Sequence, residues 1–306
     1  MDIGLCMIVK DEVDRIADCL DPIVDLLSDI VIVDTGSTDG TPELLAARYG
    51  IATLHAALDH HNCNSKAPAR NLAHARQRAP WILALDADER IARADLAALR
   101  AQADRADISG YFFPWHTVRG ARVVEDYKLC LFRRGLESRG CAHENVQVDL
   151  RARGLDAAWV GDRIVYHHPD PARDAWKLEF YTARMTCAIA RDPTWFRYHW
   201  FLGYTLYQQG RAAEACSWLR TAAAAESPRF PVECLNSAML LACLLVEDGA
   251  RDAATVVITR ARAFHARVAD DFEVRINFRM RPWLDDAAAR LAGPGAVTLQ
   301  PYAFAY

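Results

Sequence analysis

The sequence predicts an α/β domain with a mostly parallel sheet, followed by an all-helical domain. Three observations carry that prediction. Short apolar runs alternate with stretches of helical periodicity through the first half of the chain. Two acidic turns follow the second and fourth of these runs, at the carboxyl ends of strands, where open α/β sheets bind ligands. From about residue 173 the composition becomes Ala-rich and helical throughout, which divides the chain into residues 1–172 and 173–306.

Residues 3–9 form the first buried strand, and residues 10–27 carry apolar side chains at helical spacing. Residues 30–33 are a second strand. The turn Asp34-Thr35-Gly36-Ser37-Thr38-Asp39-Gly40-Thr41 then opens a helix, with Thr41 as its cap, Pro42 in its first position and Glu43 in its first turn. Gly50 ends that helix, residues 51–54 are a third strand, and residues 68–78 a helix. Residues 81–85 are a fourth strand, followed by Asp86-Ala87-Asp88-Glu89. This alternation places helices on both faces of a parallel sheet. Residues 111–118, 128–132 and 163–167 read as strands of a mixed region.

Composition excludes several classes. The chain has 306 residues, 52% hydrophobic and 25% charged, so it is neither disordered nor low-complexity. With 36 basic against 40 acidic residues it lacks the basic excess of a nucleic-acid binder. Its longest apolar stretch, residues 238–246, is about half of the ~20 residues a membrane span needs. The N-terminus has no basic region and is not read as a signal peptide. Nine scattered Cys without CxxC spacing lead us to expect reduced thiols and a cytoplasmic location.

The helical half carries a repeat pattern. Trp200, Leu202-Gly203, Tyr204, Gly210, Ala215 and Pro228 resemble the tetratricopeptide signature, and Leu241-Ala242, Leu245, Gly249 and Ala254 form a weaker copy. Any helical-hairpin array is the alternative. The aromatic stripe Trp195, Tyr198, Trp200, Tyr204 and Tyr207 is expected to be core of the first repeat rather than a sugar platform. The tail from Pro301 to Tyr306 could dock as an edge strand or in a partner's groove.

Two motifs carry chemistry. Asp86 and Asp88, one residue apart after a buried strand, can share a hard divalent cation such as Mg²⁺ or Mn²⁺, or simply cap a turn. Asp34 can accept a pyrimidine N–H beside a turn whose glycines let the backbone approach a ligand, or cap that turn with no ligand. His60-His61-Asn62-Cys63 looks like a metal cluster, but adjacent ligands give poor tetrahedral geometry, and an acceptor-side or ordering loop is the preferred reading.

Four motifs in order resemble family 2 glycosyltransferases of the GT-A fold, a Rossmann-like, mostly parallel architecture. They are residues 5–12 (LCMIVKDE), residues 30–41 (IVIVDTGSTDGT), Ala69-Arg70-Asn71 and residues 85–89 (LDADE), within a resemblance spanning about residues 3–170. Residues 129–134 and His143-Glu144 resemble one branch of that family, which includes lipopolysaccharide core transferases and bacteriocin peptide S-glycosyltransferases, some with a tetratricopeptide tail.

The resemblance implies a metal-dependent, inverting sugar transfer from a nucleotide-sugar, with a UDP-sugar as donor and a peptide or glycan as acceptor. Val9 and Glu12 would line the nucleobase pocket, Asp34 would hold the base, and Arg70 would lie near the nucleotide. Thr35 stands where relatives often have a second Asp. Asp86 would face ribose or metal, Asp88 would ligate Mn²⁺ or Mg²⁺, and His167, or else His168, would be a further ligand. Glu144, with His143 in reserve, would be the general base, unless it forms a structural ion pair with Arg139 or Arg151. The resemblance also implies a homodimer through the helical domain, whose far end, with Trp283 and Leu284, needs either self-capping or a partner; an acceptor-peptide groove on the concave face is the alternative to the dimer. Two rivals are a repeat scaffold with an inactive transferase domain and a nucleotidyltransferase. The latter would need a Gly-rich loop with a Lys after the first strand, where this chain has Lys10-Asp11-Glu12.

Overall fold

The computed structural model describes residues 1–58 and 65–302, and the chain divides into two compact units with a break after Pro171. The His60-His61-Asn62-Cys63 segment, read as an acceptor-side or ordering loop, and the last four tail residues lie outside the described residues.

The first unit holds strands β1 (Ile3–Val9), β2 (Ile30–Asp34), β3 (Leu54–His55), β4 (Trp81–Ala84), β5 (Glu89–Ile91), β6 (Gly110–Arg119), β7 (Arg122–Arg133), β8 (Ala157–Trp159) and β9 (Val165–His167). Its helices are α1 (Ile16–Leu20), α2 (Thr41–Tyr49), α3 (Ala67–Arg76), α4 (Arg93–Ala101) and α5 (Gln147–Ala152). Among the described residues the strands form one sheet in the order β3-β2-β1-β4-β7-β6-β9-β5, with β8 also on β6. The run β3-β2-β1-β4 is parallel, as the βαβ alternation requires. Strand β7 enters antiparallel beside β4 and pairs along its length with β6. Register aligns Val9 with Asp34 and Cys6 with Ala84, so the loops after β1, β2 and β4 leave the same sheet edge. Alternate strand residues such as Leu5, Met7, Leu83, Phe113 and Leu131 fill a core closed by Ile16, Leu20 and Leu96.

The helix expected over residues 10–27 is shorter than its periodicity suggests. Residues 10–15 are drawn into the ligand edge, and Pro22 has no N–H with which to continue α1. Gly40, at φ 90°, takes the N-cap of α2 that was expected of Thr41. The Thr41 hydroxyl instead donates to Asp39 at 2.6 Å and accepts the Glu12 N–H at 2.9 Å. Strand β3 begins at Leu54, three residues later than expected.

The second unit contains α6 (Asp174–Arg191), α7 (Phe196–Gln208), α8 (Ala212–Ala224), α9 (Pro231–Glu247), α10 (Arg251–Arg267), α11 (Phe272–Ile276) and α12 (Met280–Ala292). The hairpins α7–α8 and α9–α10 turn at Gly210 and Gly249, both left-handed at φ 76° and 75°. Gly203 allows α7 and α8 to approach: a Cβ there would lie 2.8 Å from Leu219 Cγ. Trp200 is fully buried and stacks on Tyr204 at 5.3 Å, so at these positions the aromatic stripe is core.

The end expected to need a cover is covered by the chain itself. Leu284, on α12, is buried, and Trp283 Nε1 donates to the Gln300 carbonyl at 3.0 Å. Arg251 donates to the carbonyls of Leu291 (2.6 Å), Gly293 and Gly295 (2.8 Å), satisfying acceptors at and beyond the end of α12. No helix of the described residues is long and apolar enough to cross a membrane. Among the described residues Cys187 is disulfide-bonded and the other cysteines are thiols, so the expectation of reduced thiols fails at Cys187.

Candidate active site

Three loops meet at the carboxyl edge of the parallel strands. The loop after β1 is stitched to the loop after β2. Asp11, with φ 54°, donates its N–H to Ser37 Oγ and accepts the Thr38 N–H at 2.7 Å. Asp39 Oδ2 accepts the Val13 N–H at 2.9 Å. Asp34 is buried at the end of β2, and its carboxylate accepts the N–H groups of Gly36 (3.0 Å) and Ser37 (3.2 Å). The Gly-Ser-Thr-Asp-Gly turn is therefore built on Asp34, whose geometry serves the turn first.

Two of the expected nucleobase residues are used differently. The Val9 side chain is 2% exposed and belongs to the core, and its carbonyl accepts both the N–H and the hydroxyl of Thr35 at 2.9 Å. Val9 thus contributes packing rather than an open face, and Thr35 ties β2 to β1. The Glu12 carboxylate is turned to Arg15, 2.6 Å from its guanidinium.

The turn after β4 gathers the charge. Arg70, on α3, donates to Asp86 Oδ1 at 3.0 Å, and Lys128 Nζ, on β7, lies 3.5 Å from Asp86 Oδ2. Burial works against ionisation of Asp86, but Arg70, Lys128 and Lys66 hold its carboxyl well below the usual carboxylate range. Burial likewise disfavours a charged Lys128, yet the Glu89 and Asp86 carboxylates raise its pKa above that of an ordinary lysine. Nε of Arg70 is buried and has no hydrogen-bond partner among the described residues. The motif Ala69-Arg70-Asn71 divides its work. Ala69 is buried, Arg70 faces Asp86, and Asn71 exchanges hydrogen bonds with the Ser138 backbone at 3.0 and 2.7 Å.

Asp88 faces a different partner. Its Oδ2 lies 3.5 Å from Nε2 of His167, at the end of β9. His167 Nδ1 is 3.1 Å from Thr117 Oγ1, and its ring stacks on Trp115 at 4.6 Å. With Nδ1 against the hydroxyl, Nε2 is presented to Asp88, and the Thr117 contact orients the ring. His168 contributes its N–H to the Asp88 carbonyl at 2.8 Å instead. One carboxylate oxygen and one imidazole nitrogen fit a hard divalent ion that keeps several waters and takes phosphate oxygens. Asp86 is held apart from this pair by its two cations, and no group of three His, Cys, Asp or Glu side chains poised for a metal occurs among the described residues.

Glu144 lies at the start of α3, where its Oε1 accepts the Lys66 N–H at 2.6 Å, a favourable place for a carboxylate. Its charge acts on Arg70, which places it beside the Asp86 cluster. Arg139, one of the two ion-pair alternatives for Glu144, is bound to Asp149 at 2.7 Å. His143 sits at φ 49°, and its carbonyl accepts the Asn145 amide at 3.3 Å. Burial pushes the Cys6 and Cys19 thiols up to about 12, away from the reactive thiolate form.

Periodicity and motif spacing do not single out Glu89, Lys128, Trp115 or Thr117 for the site. Glu89 stood in the Asp86-Ala87-Asp88-Glu89 run, the one local signal available.

The parallel run β3-β2-β1-β4, the acidic turn after β4 and the loops grouped at one edge make the first unit a domain of the GT-A type. The model of glycosyl transferase family 2 matches residues 5–138. A TPR repeat-containing protein of Synechococcus elongatus is 28% identical over 231 residues, 71% of this chain and 55% of that protein. The chain thus spans just over half the length of that curated relative. Among solved structures, residues 1–349 of S. aureus TarS in complex with UDP are 13% identical, with a TM-score of 0.49, covering 94% of this chain and 91% of that one. The same protein in complex with UDP-GlcNAc is 13% identical, with a TM-score of 0.48 and coverages of 91% and 92%.

Proposed function

We propose that this chain is a glycosyltransferase that moves a sugar from a UDP-sugar, with inversion and with a divalent cation, to a peptide side chain or glycan. The observation that carries the reading is the division of labour at the end of β4: Asp86 between Arg70 and Lys128, and Asp88 against His167. In this reading the loops after β1 and β2 receive the nucleobase, and the unpartnered Arg70 Nε supplies a donor for a ribose or phosphate oxygen. Asp88 and His167 would hold Mn²⁺ or Mg²⁺, which when bound offsets charge on the diphosphate. Arg70 and Lys128 add fixed positive charge where the leaving group becomes more negative.

Glu144 is the proposed general base, oriented through its bond to the Lys66 N–H. It takes the acceptor proton as the acceptor heteroatom bonds to the anomeric carbon. The bond to the diphosphate oxygen breaks on the opposite face, and UDP leaves with the electron pair. Acceptors of the lipopolysaccharide-core or peptide type and a homodimer through the helical unit belong to the same proposal, as does a cytoplasmic location, which rests on the thiols at the other described cysteines and stands against the Cys187 disulfide. The dimer rests on the resemblance alone, because the chain closes its own last hairpin.

The test is a UDP-sugar panel with Mn²⁺, read by mass spectrometry of the acceptor and by NMR of the anomeric configuration. Transfer of one sugar with inverted configuration supports the reading. Absence of UDP binding in the presence of Mn²⁺, or retained configuration, overturns it. Light scattering at twice the chain mass supports the dimer, and a monomer at high concentration removes it.

A further inference from the structure

Glu89 is 1% exposed, and its carboxylate is the meeting point of donors from three separate stretches of chain. The Asp86 backbone N–H reaches Oε2 at 2.9 Å, while Trp115 Nε1 and Lys128 Nζ reach Oε1 at 2.7 and 2.5 Å. The Glu89 N–H returns to the Asp86 carbonyl at 2.9 Å, closing the acidic turn reciprocally. Each donor also touches a working part of the site. Lys128 stands between Glu89 and Asp86, Trp115 stacks on His167, and His167 faces Asp88. Register accounts for the convergence: Glu89 is opposite His167 across β5 and β9, and His167 is opposite Thr117 across β9 and β6, one pleat from Trp115.

We infer that Glu89 is a positioning residue for donor binding, holding Asp86, Lys128 and the Trp115–His167 stack in one arrangement. A buried carboxylate serving only the fold needs its charge satisfied, which Lys128 alone would do. Here the same two oxygens also fix the main chain of Asp86 and the ring behind His167. Without the negative charge of Glu89, Lys128 turns toward Asp86, and the Asp86–Arg70 contact changes with it. The inference rests on the reading of this edge as a nucleotide-sugar site.

The test compares wild type with Glu89→Gln, which keeps the shape and one acceptor oxygen but removes the charge. Displacements of the size expected here cost about 10²-fold in donor kcat/KM. Acceptor KM should stay at the wild-type value, and Mn²⁺ affinity, read by electron paramagnetic resonance without any donor present, should fall. Trp115→Phe is the second variant. It keeps an aromatic ring at this position while removing the N–H together with the five-membered ring, and a smaller shift in the same direction is expected. The melting temperature establishes that each variant is folded, and Trp115→Phe decides alone if Glu89→Gln does not fold. Donor constants and Mn²⁺ affinity at wild-type values, or donor and acceptor constants moving together, would overturn the positioning role. Failure of wild type itself to bind UDP with Mn²⁺ would overturn the donor-site reading, and this inference with it.

Discussion

Nε2 of His167 stands 3.5 Å from Oδ2 of Asp88, held there by the Thr117 hydroxyl on its other nitrogen. If the pair is a divalent-ion site, Asp88→Ala removes one of its two protein ligands. Most Mn²⁺ affinity and activity should disappear while the melting temperature stays near that of wild type. Thr117→Val leaves both ligands but frees Nδ1, and loss of such an orienting partner typically weakens metal binding by about 10–100-fold. Titration of Mn²⁺ into the three proteins checks both, and equal affinities would remove the metal assignment.

Glu144 is fixed through the Lys66 N–H, a bond that a glutamine carbonyl can also accept. Glu144→Gln therefore keeps the start of α3 while losing basicity, and the chemical step should slow by about 10²–10⁴-fold. UDP affinity should be unchanged. Single-turnover kinetics beside calorimetry separate these effects, and a normal rate would move the base to His143 or to another carboxylate.

In the helical unit, Arg197 Nε lies 2.6 Å from Glu233 Oε1 with both side chains only 5% exposed, and the guanidinium covers the Phe230 ring at 4.4 Å. Glu233→Ala strands a buried cation, at a cost of about 3–5 kcal/mol. Arg197→Met combined with Glu233→Leu should recover much of that loss. Urea unfolding of the three proteins tests the pair, and a double variant no better than Glu233→Ala would contradict the expectation.

His74 is buried beside Arg70, and burial followed by that charge pushes its pKa from 6.5 down to about 4. The folded state therefore favours the neutral ring. The stability this gives is complete above pH 6.5 and is lost as pH falls toward 4, because the unfolded chain takes up the proton first. The loss across this window is about 3 kcal/mol. His74→Gln should flatten that part of the pH–stability curve, measured as the difference between the two proteins. Parallel curves from pH 7 to 4 would show that His74 does not carry it.

Much of the architecture was legible because it is written locally. The βαβ alternation, the turn built on Asp34, the acidic pair after β4 and the glycines that turn the helical hairpins all follow from periodicity and from residues within one turn of each other. Where local signals misled, a distant contact had intervened. Residues 10–15 follow helical spacing but are held to the 37–41 turn, and Val9 precedes a ligand loop but points into the core.

The sequence by itself determined that a parallel sheet would present Asp34, Asp86 and Asp88 at one edge, and that helical hairpins would follow. Tertiary structure alone decided what each carboxylate meets: Arg70 and Lys128 for Asp86, His167 for Asp88, and three donors for Glu89. The reason is register. Trp115, Thr117 and Lys128 share a face only because β6 and β7 pair as they do, with an irregularity between Tyr111 and Phe112, and a one-residue slip would turn those side chains away. Hydrophobic alternation identifies a strand, but which residue lies opposite which is settled only when the strands pack together.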